Sequence, residues 1–216
     1  MSNPDSTDED MNSATPIGSD DSDDGSSSDS DDNDNNNVEI EQLKQGLRDD
    51  PYAYDKYGKL IEYLSKAGEL DELRNTRNAF AKHFPLSSEI WLSWLSDEKK
   101  IATTNEEKAS VGELFEKAVK DYVSVDIWLE YCQFSLWKVS IPETGVRDIR
   151  ATHERAVVAA GINGEKGALI WDAYREFEIC LLDQDTTNEE QRARVDKLFR
   201  RQLAVPILGN DLGQCP

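Results

Sequence analysis

The chain has 216 residues and a formal charge of −20 at pH 7, with 44 acidic residues against 24 basic ones. That balance disfavours a bare polyanion such as RNA as a direct ligand at physiological salt and points to basic protein surfaces as partners. No apolar run approaches the ~20 residues of a transmembrane helix, and the N-terminus has neither the basic nor the apolar segment of a signal peptide.

Residues 1–37 form one compositional block, with 11 Asp and Glu9 and no Lys or Arg. The remainder then carries 32 acids against 24 bases, a charge of −8. The block has almost no large apolar side chain, so it cannot bury enough surface to offset chain entropy, and it is expected to be a disordered acidic tail. Asp20, Ser22, Asp24, Gly25 and Asp31 fall near the spacing of a calcium loop. No amphipathic helix flanks them and the twelfth position is Asp rather than Glu, so the match is one that an Asp/Ser tract produces by chance. Ser6, Ser26 and Ser28 each have an acid three residues on and are candidate sites for an acid-directed kinase, where phosphate would add roughly −1.5 to −2 charge per site. A solvated tail without such regulation is an equal alternative.

From Val38 the pattern turns helical. Val38, Ile40, Leu43 and Leu47 lie near one helical face, Pro51 is expected to open a second helix through about Lys66, and Gly68 reads as its stop. The stretch 69–84 follows as a third helix, ended by Pro85. Polar breaks recur at 87–89, 103–107, 163–167 and 186–190, each placed where Ser, Thr or Asn would cap a helix. Strand-like alternation is absent. The expected content is eight or nine helices of roughly 12 to 20 residues joined by short loops.

A repeat runs through these helices. Tyr54 and Tyr57, Trp91 and Trp94, Trp128 and Tyr131, Trp171 and Tyr174 share i, i+3 spacing, and the first members lie 37, 37 and 43 residues apart. Leu60, Asp97, Phe134 and Phe177 come three residues further on, and Glu98 and Glu178 then close the pattern in two of the four units. Phe80, Phe115, His153 and Phe199 follow the first aromatics by 26, 24, 25 and 28 residues, which leaves room for two antiparallel helices and a turn. Pro85 and Pro206 close the first and last units and are counted with the core signature. A period in this range is that of a solenoid of helical hairpins, each covering its neighbour's apolar face. The aromatics are therefore expected to be core rather than a ligand cage.

These units resemble HAT (half-a-TPR) repeats. Trp-x-x-Tyr/Trp in the first helix is carried by "WLEY", "WLSWLSDE" and "WDAYREFE", and the aromatic-Glu-Arg-Ala-like stretch of the second by "FEKAV" and "HERAV". More narrowly, residues 40–207 are similar to the N-terminal repeats of the U4/U6 small nuclear RNP recycling-factor family. The resemblance implies an all-α superhelical solenoid over 38–207, a leading helix plus about four hairpins, ahead of an irregular end at 208–216. It implies a nuclear, non-catalytic scaffold that meets small nuclear RNP proteins, with RNA reached indirectly. HAT arrays of mRNA 3′-end cleavage and polyadenylation and of other splicing complexes are the alternative. Members of the narrower family continue into further repeats and RNA recognition motifs, so the chain is expected to be a truncated product, and dimerisation is not implied.

Catalytic chemistry has little support in the residues. His83 sits near the end of a second helix and His153 occupies an anchor slot, neither beside a Cys or Ser at a telling spacing. There is no Gly-rich phosphate loop, and no cofactor or metal is expected. Cys132, Cys180 and Cys215 lie far apart without metal-like spacing, which suits a reducing compartment. Lys99–Lys100 and Arg200–Arg201 are too short for a nucleic-acid patch and read as helix-end charges favoured by the macrodipole.

Overall fold

The computed structural model describes residues 29–206. Among them are nine α-helices and no strand: α1 (Asp29–Asp49), α2 (Tyr54–Ala67), α3 (Leu70–His83), α4 (Ser88–Ile101), α5 (Asn105–Asp121), α6 (Val125–Ser135), α7 (Gly145–Ala160), α8 (Gly167–Gln184) and α9 (Glu189–Leu203). The pairs α2–α3, α4–α5, α6–α7 and α8–α9 are antiparallel hairpins, and α1 packs on α2. The all-α solenoid is thus the observed architecture. Ser6, Ser26, Ser28 and Cys215 lie outside the described residues, as does most of the calcium-like loop. Helix α1 takes in the last part of the acidic block, because a helix nucleated by its packed half extends at little cost.

The ends of the helices follow local chemistry. Ser87, Ser124 and Asn188 accept hydrogen bonds from the backbone N–H three residues on, in Ile90, Ile127 and Gln191. Thr104 and Glu107 form a capping box. The stretches 103–107 and 186–190 share the sequence "TTNEE" but are used one residue out of register: Thr104 caps α5, whereas Asn188 caps α9. Gly68 ends α2 in the left-handed conformation at φ 73°, satisfying the carbonyls of Leu64 and Ser65. The expectation that Pro51 opens α2 is corrected to Tyr54. Asp50 accepts from the Tyr52 N–H at 3.0 Å and its carbonyl from the Ala53 N–H at 3.3 Å, so the residues after Pro51 form a turn.

The third hairpin departs from the pattern. Helix α6 stops at Ser135, whose hydroxyl donates to the Cys132 carbonyl at 2.7 Å, and a 3-10 turn follows over Leu136–Ser140. Helix α7 then starts at Gly145, where a Cβ would lie 1.9 Å from the Lys138 carbonyl oxygen. Only glycine allows that approach.

One apolar core runs from Tyr57 through all four hairpins to Leu198, and a smaller cluster of Ile40, Leu60, Leu64 and Leu73 joins α1 to the first hairpin. The hairpins do not meet equally. Both α4 and α5 approach α6, and both α6 and α7 approach α8, but no helix pair across the boundary between the first and second hairpins packs with comparable closeness. Phe115 is fully buried, stacked on Tyr131 with ring centres 4.9 Å apart and on Phe134 at 5.3 Å. Phe115→Ala removes this wedge between the second and third hairpins and is expected to destabilise the chain by roughly 3–5 kcal/mol, read as a lowered midpoint of urea unfolding.

Candidate protein-interaction surface

The structure sorts the sequence-derived anchors. Tyr57, Phe80, Trp91, Trp94, Phe115, Trp128, Tyr131, His153, Trp171 and Tyr174 are all buried. Four positions are corrected. Tyr54 is the first residue of α2 and is 47% exposed, with only ring edges against Phe80 and Phe84, because α1 covers the later turns of α2 instead. Pro85 is exposed and acts through the backbone: Phe84 before it is extended at φ −140°, which ends α3, while Leu86 takes the core place. Pro206 is exposed beyond α9. Phe199 is half-buried under the Arg175 guanidinium, and Leu198 fills the core slot. Phe115 and His153 are enclosed by rings of the following hairpin, and α9 has no such neighbour among the described residues.

Around the anchors lies a polar joint that repeats. Between the second and third hairpins, Arg155 donates two hydrogen bonds to the Glu116 carboxylate, at 2.6 and 2.8 Å, and Tyr131 donates a third at 2.6 Å. The Arg155 guanidinium also lies 5.4 Å from the Trp128 ring centre. Between the third and fourth hairpins, Arg201 donates to Glu154 at 2.7 and 2.8 Å and Tyr174 at 3.1 Å, and Arg201 lies 5.5 Å from the Trp171 ring. The acid directly after an anchor thus reaches forward to the next hairpin, and the arginine two places after an anchor reaches back. Bidentate arginine–carboxylate pairs of this kind set geometry as well as energy, and the indole face adds a cation–π contact.

A second ion pair joins the other end of some boundaries. Arg150 donates to Glu178 at 2.8 and 2.9 Å and to Gln191 at 2.8 Å, and Gln191 donates back to the Glu178 carboxylate at 2.7 Å. Arg74 holds Glu98 in the same way at 2.7 and 2.9 Å, and the buried Arg77 pairs with Asp97 at 2.9 Å. Where the second hairpin meets the third, Gly112 and Ser135 stand at these places and no such pair forms. The recurrence of Glu98 and Glu178 in two units of four therefore marks the boundaries that carry the second pair. Lys99 bridges to Glu130 of α6, and Arg201 to α7. Those two residues are inter-hairpin bridges rather than helix-end charges, while Lys100 and Arg200 pair within their own helices.

The joints control ionisation. The Arg155 guanidinium, with Tyr131, holds the Glu116 carboxyl down at about 2 against the opposition of burial, and Arg201 likewise lowers Glu154. Burial first, then the Glu116 carboxylate, pushes the Tyr131 phenol up. Burial pushes the Cys132 thiol up to about 12, so it is an inert core residue. Cys180 is exposed and free. His153 is held below its ordinary 6.5 by burial, against the opposing pull of its bond to the Ile149 carbonyl and of Glu178 and Glu154. His83 lies on the surface end of α3 with its ring 5.2 Å from Tyr52. Among the described residues no group of His, Cys, Asp and Glu converges to hold a metal, and no helix is long and apolar enough to cross a membrane. The carboxylates of Glu116, Glu154 and Glu178 and their arginines sit between hairpins, whereas Asp121 accepts from the Trp91 indole within the second hairpin and Glu107 serves the cap of α5. Such an array offers shaped helical surface for docking.

A stacked array of helical hairpins, its two later boundaries held by rings and by a carboxylate–arginine joint, is the architecture of a helical-repeat solenoid. The chain belongs to the PRP39 N-terminal HAT repeat family, whose model matches residues 41–211. It is 40% identical over 170 residues to the mouse protein named "Spliceosome associated factor 3, U4/U6 recycling protein", covering 79% of this chain and 17% of that one. The human protein of the same name is 39% identical over 79% of this chain and 17% of its own length. Pre-mRNA-processing factor 39 of Danio rerio is 25% identical over 78% of this chain and 21% of its own. The chain thus spans about a sixth of the length of the recycling proteins it matches.

His153 is expected to give the array a pH response. Its folded value lies below 6.5, so the unfolded chain takes up a proton first and the contribution of the neutral ring is complete above about 6.5 and lost as pH falls below it. The melting temperature is expected to fall between pH 7 and 5, and His153→Phe to flatten that window. The loss of the Glu116 joint, whose folded value is about 2, belongs to more acid conditions and should survive the substitution.

Proposed function

We propose that this chain is a non-catalytic protein–protein scaffold in pre-mRNA splicing, acting in the assembly or recycling of the U4/U6 small nuclear RNP. The observation that carries the reading is the 40% identity to a spliceosome associated U4/U6 recycling protein across the length of the hairpin array. The joint architecture supports it, since Glu116, Glu154 and Glu178 with their arginines are spent on holding hairpins together. The charge of −20 supports protein surfaces rather than RNA as direct contacts. The proposed location is the nucleus, and the proposed partners are small nuclear RNP proteins, with RNA held through them.

The test is to express the tagged chain, recover it from nuclear extract, and sequence bound RNA beside the co-purified proteins. Enrichment of U4 and U6 RNAs with their proteins is expected. A folded, soluble chain that enriches neither, or that brings down polyadenylation factors instead, refutes the proposal. Arg155→Met with Glu116→Gln, which loosens the central joint, is expected to weaken that recovery while leaving helix content unchanged.

A further inference from the structure

The cleft between the third and fourth hairpins and the cleft between the first and second occupy equivalent places in the repeat. The former is lined by Glu154, Tyr174, Glu178, Leu198 and Arg201 and encloses about 100 Å³. In the latter the corresponding Trp94, Glu98, Leu114 and Lys117 surround about 480 Å³. Two of its lining residues are exchanged: Lys117 stands where Arg201 reaches back, and Ser110 where Arg194 lies. Ala81, one place after Phe80, takes the repeat position from which Glu154 reaches forward. The backbones at this boundary also stand further apart than at the other two.

The result is a joint with half its charge missing. Glu98 is held by Arg74, and the Trp94 indole N–H donates to it at 3.3 Å. Glu107 is spent on the backbone N–H groups of Thr103 and Thr104 at 2.7 and 2.9 Å. Lys117 has no hydrogen-bond or ion-pair partner among the described residues. The unanswered charge in the cleft is therefore positive, at a place whose counterparts, Arg155 and Arg201, each grip a carboxylate. Beside it, Trp94, Ile101, Val111 and Leu114 form an apolar wall.

We propose that this cleft is a binding site for an acidic segment of a partner protein, one that inserts a bulky apolar side chain against Trp94 and Leu114 and sets a neighbouring carboxylate on Lys117. The ligand supplies the acid that Ala81 lacks and so completes the joint in trans. Charge complementarity favours a partner segment with both features. The chain's own residues 1–28 are rich in acid, but their large apolar side chains are only Met1, Met11 and Ile17. The identity of the ligand as a protein segment rests on the scaffold reading above.

The test is a titration of the 15N-labelled full chain with acetyl-Glu-Leu-Glu-amide, following the Trp94 indole N–H, assigned with Trp94→Phe. A saturable shift with a dissociation constant of order millimolar is expected for so small a ligand, with acetyl-Gln-Leu-Gln-amide bound roughly three- to ten-fold more weakly. Lys117→Met should weaken the acidic peptide to the level of the neutral one. Ala81→Glu should abolish the Trp94 response and raise the melting temperature, because it restores the joint from within. A Trp94 signal that does not move, or that responds equally to both peptides, overturns the proposal. So does a response that appears only after Asp20→Asn, Asp21→Asn, Asp23→Asn and Asp24→Asn are introduced together, since the occupant is then the chain's own tail. The titration uses purified chain and synthetic peptide, so its failure leaves the splicing assignment standing, and failure of the nuclear pull-down leaves the titration result intact.

Discussion

The structure depends on one constraint: a helical hairpin has two apolar faces and can cover only one of them itself. Everything else follows from how the second face is closed. Phe115 and His153 project from second helices into rings of the next hairpin, Tyr131 and Phe134 in one case, Tyr174 and Phe177 in the other. Such burial is non-directional, and alone it would leave the angle between hairpins loose. The carboxylate–arginine joints supply the direction. Glu116 and Glu154 each accept from an arginine two helices on and from a tyrosine one helix on, so three helices are tied at one point.

Because each hairpin touches only its neighbours, the stability of such an array is close to a sum of unit and boundary contributions. The boundaries here are graded. The last has both kinds of ion pair, through Glu154 and through Glu178. The middle has the Glu116 joint together with the Lys99–Glu130 bridge. The first has only the Arg74 and Arg77 pairs, and its backbones stand further apart. Three boundaries built from one repeat therefore differ in how they are bonded and in how much cleft they leave. That difference is what allows a repetitive fold to present a distinct place for a ligand.

Much of the fold was legible because it is written in periodicity. Aromatics at i, i+3 and a recurrence near 37 residues locate the hairpins, and Ser, Thr and Asn at three of the four polar breaks locate the starts; at 163–167 the expectation is corrected, since α8 begins after Lys166 with no side-chain cap. The errors are instructive. Tyr54 satisfied the spacing but sits in the first turn of its helix, where the covering helix does not reach. Phe199 satisfied the motif, yet its enclosure depends on a neighbour that α9 does not have among the described residues. Pro85 and Pro206 mark chain direction and not core, since a residue that stops a helix falls where the chain leaves the packed layer. The joints were half visible: Glu98 and Glu178 stood out by recurrence, whereas Glu116, Glu154, Arg155 and Arg201 looked like ordinary surface charge. The clue available was positional, an acid one place and a base two places after each anchor.

The sequence by itself determined the class of fold, the number of hairpins and most of the core, because these depend on the spacing of apolar side chains along one helix. It also determined the family, because identity with relatives is a property of residue order. Only the tertiary structure decided which charges meet. A contact such as Arg201 to Glu154 joins residues 47 positions apart, and its geometry is set by the angle at which two hairpins stack. For the same reason only the structure showed that Ser110 and Lys117, unremarkable in the chain, line a cleft of about 480 Å³, against about 260 Å³ beside Tyr131 and Ser135 at the next boundary and about 100 Å³ at the last.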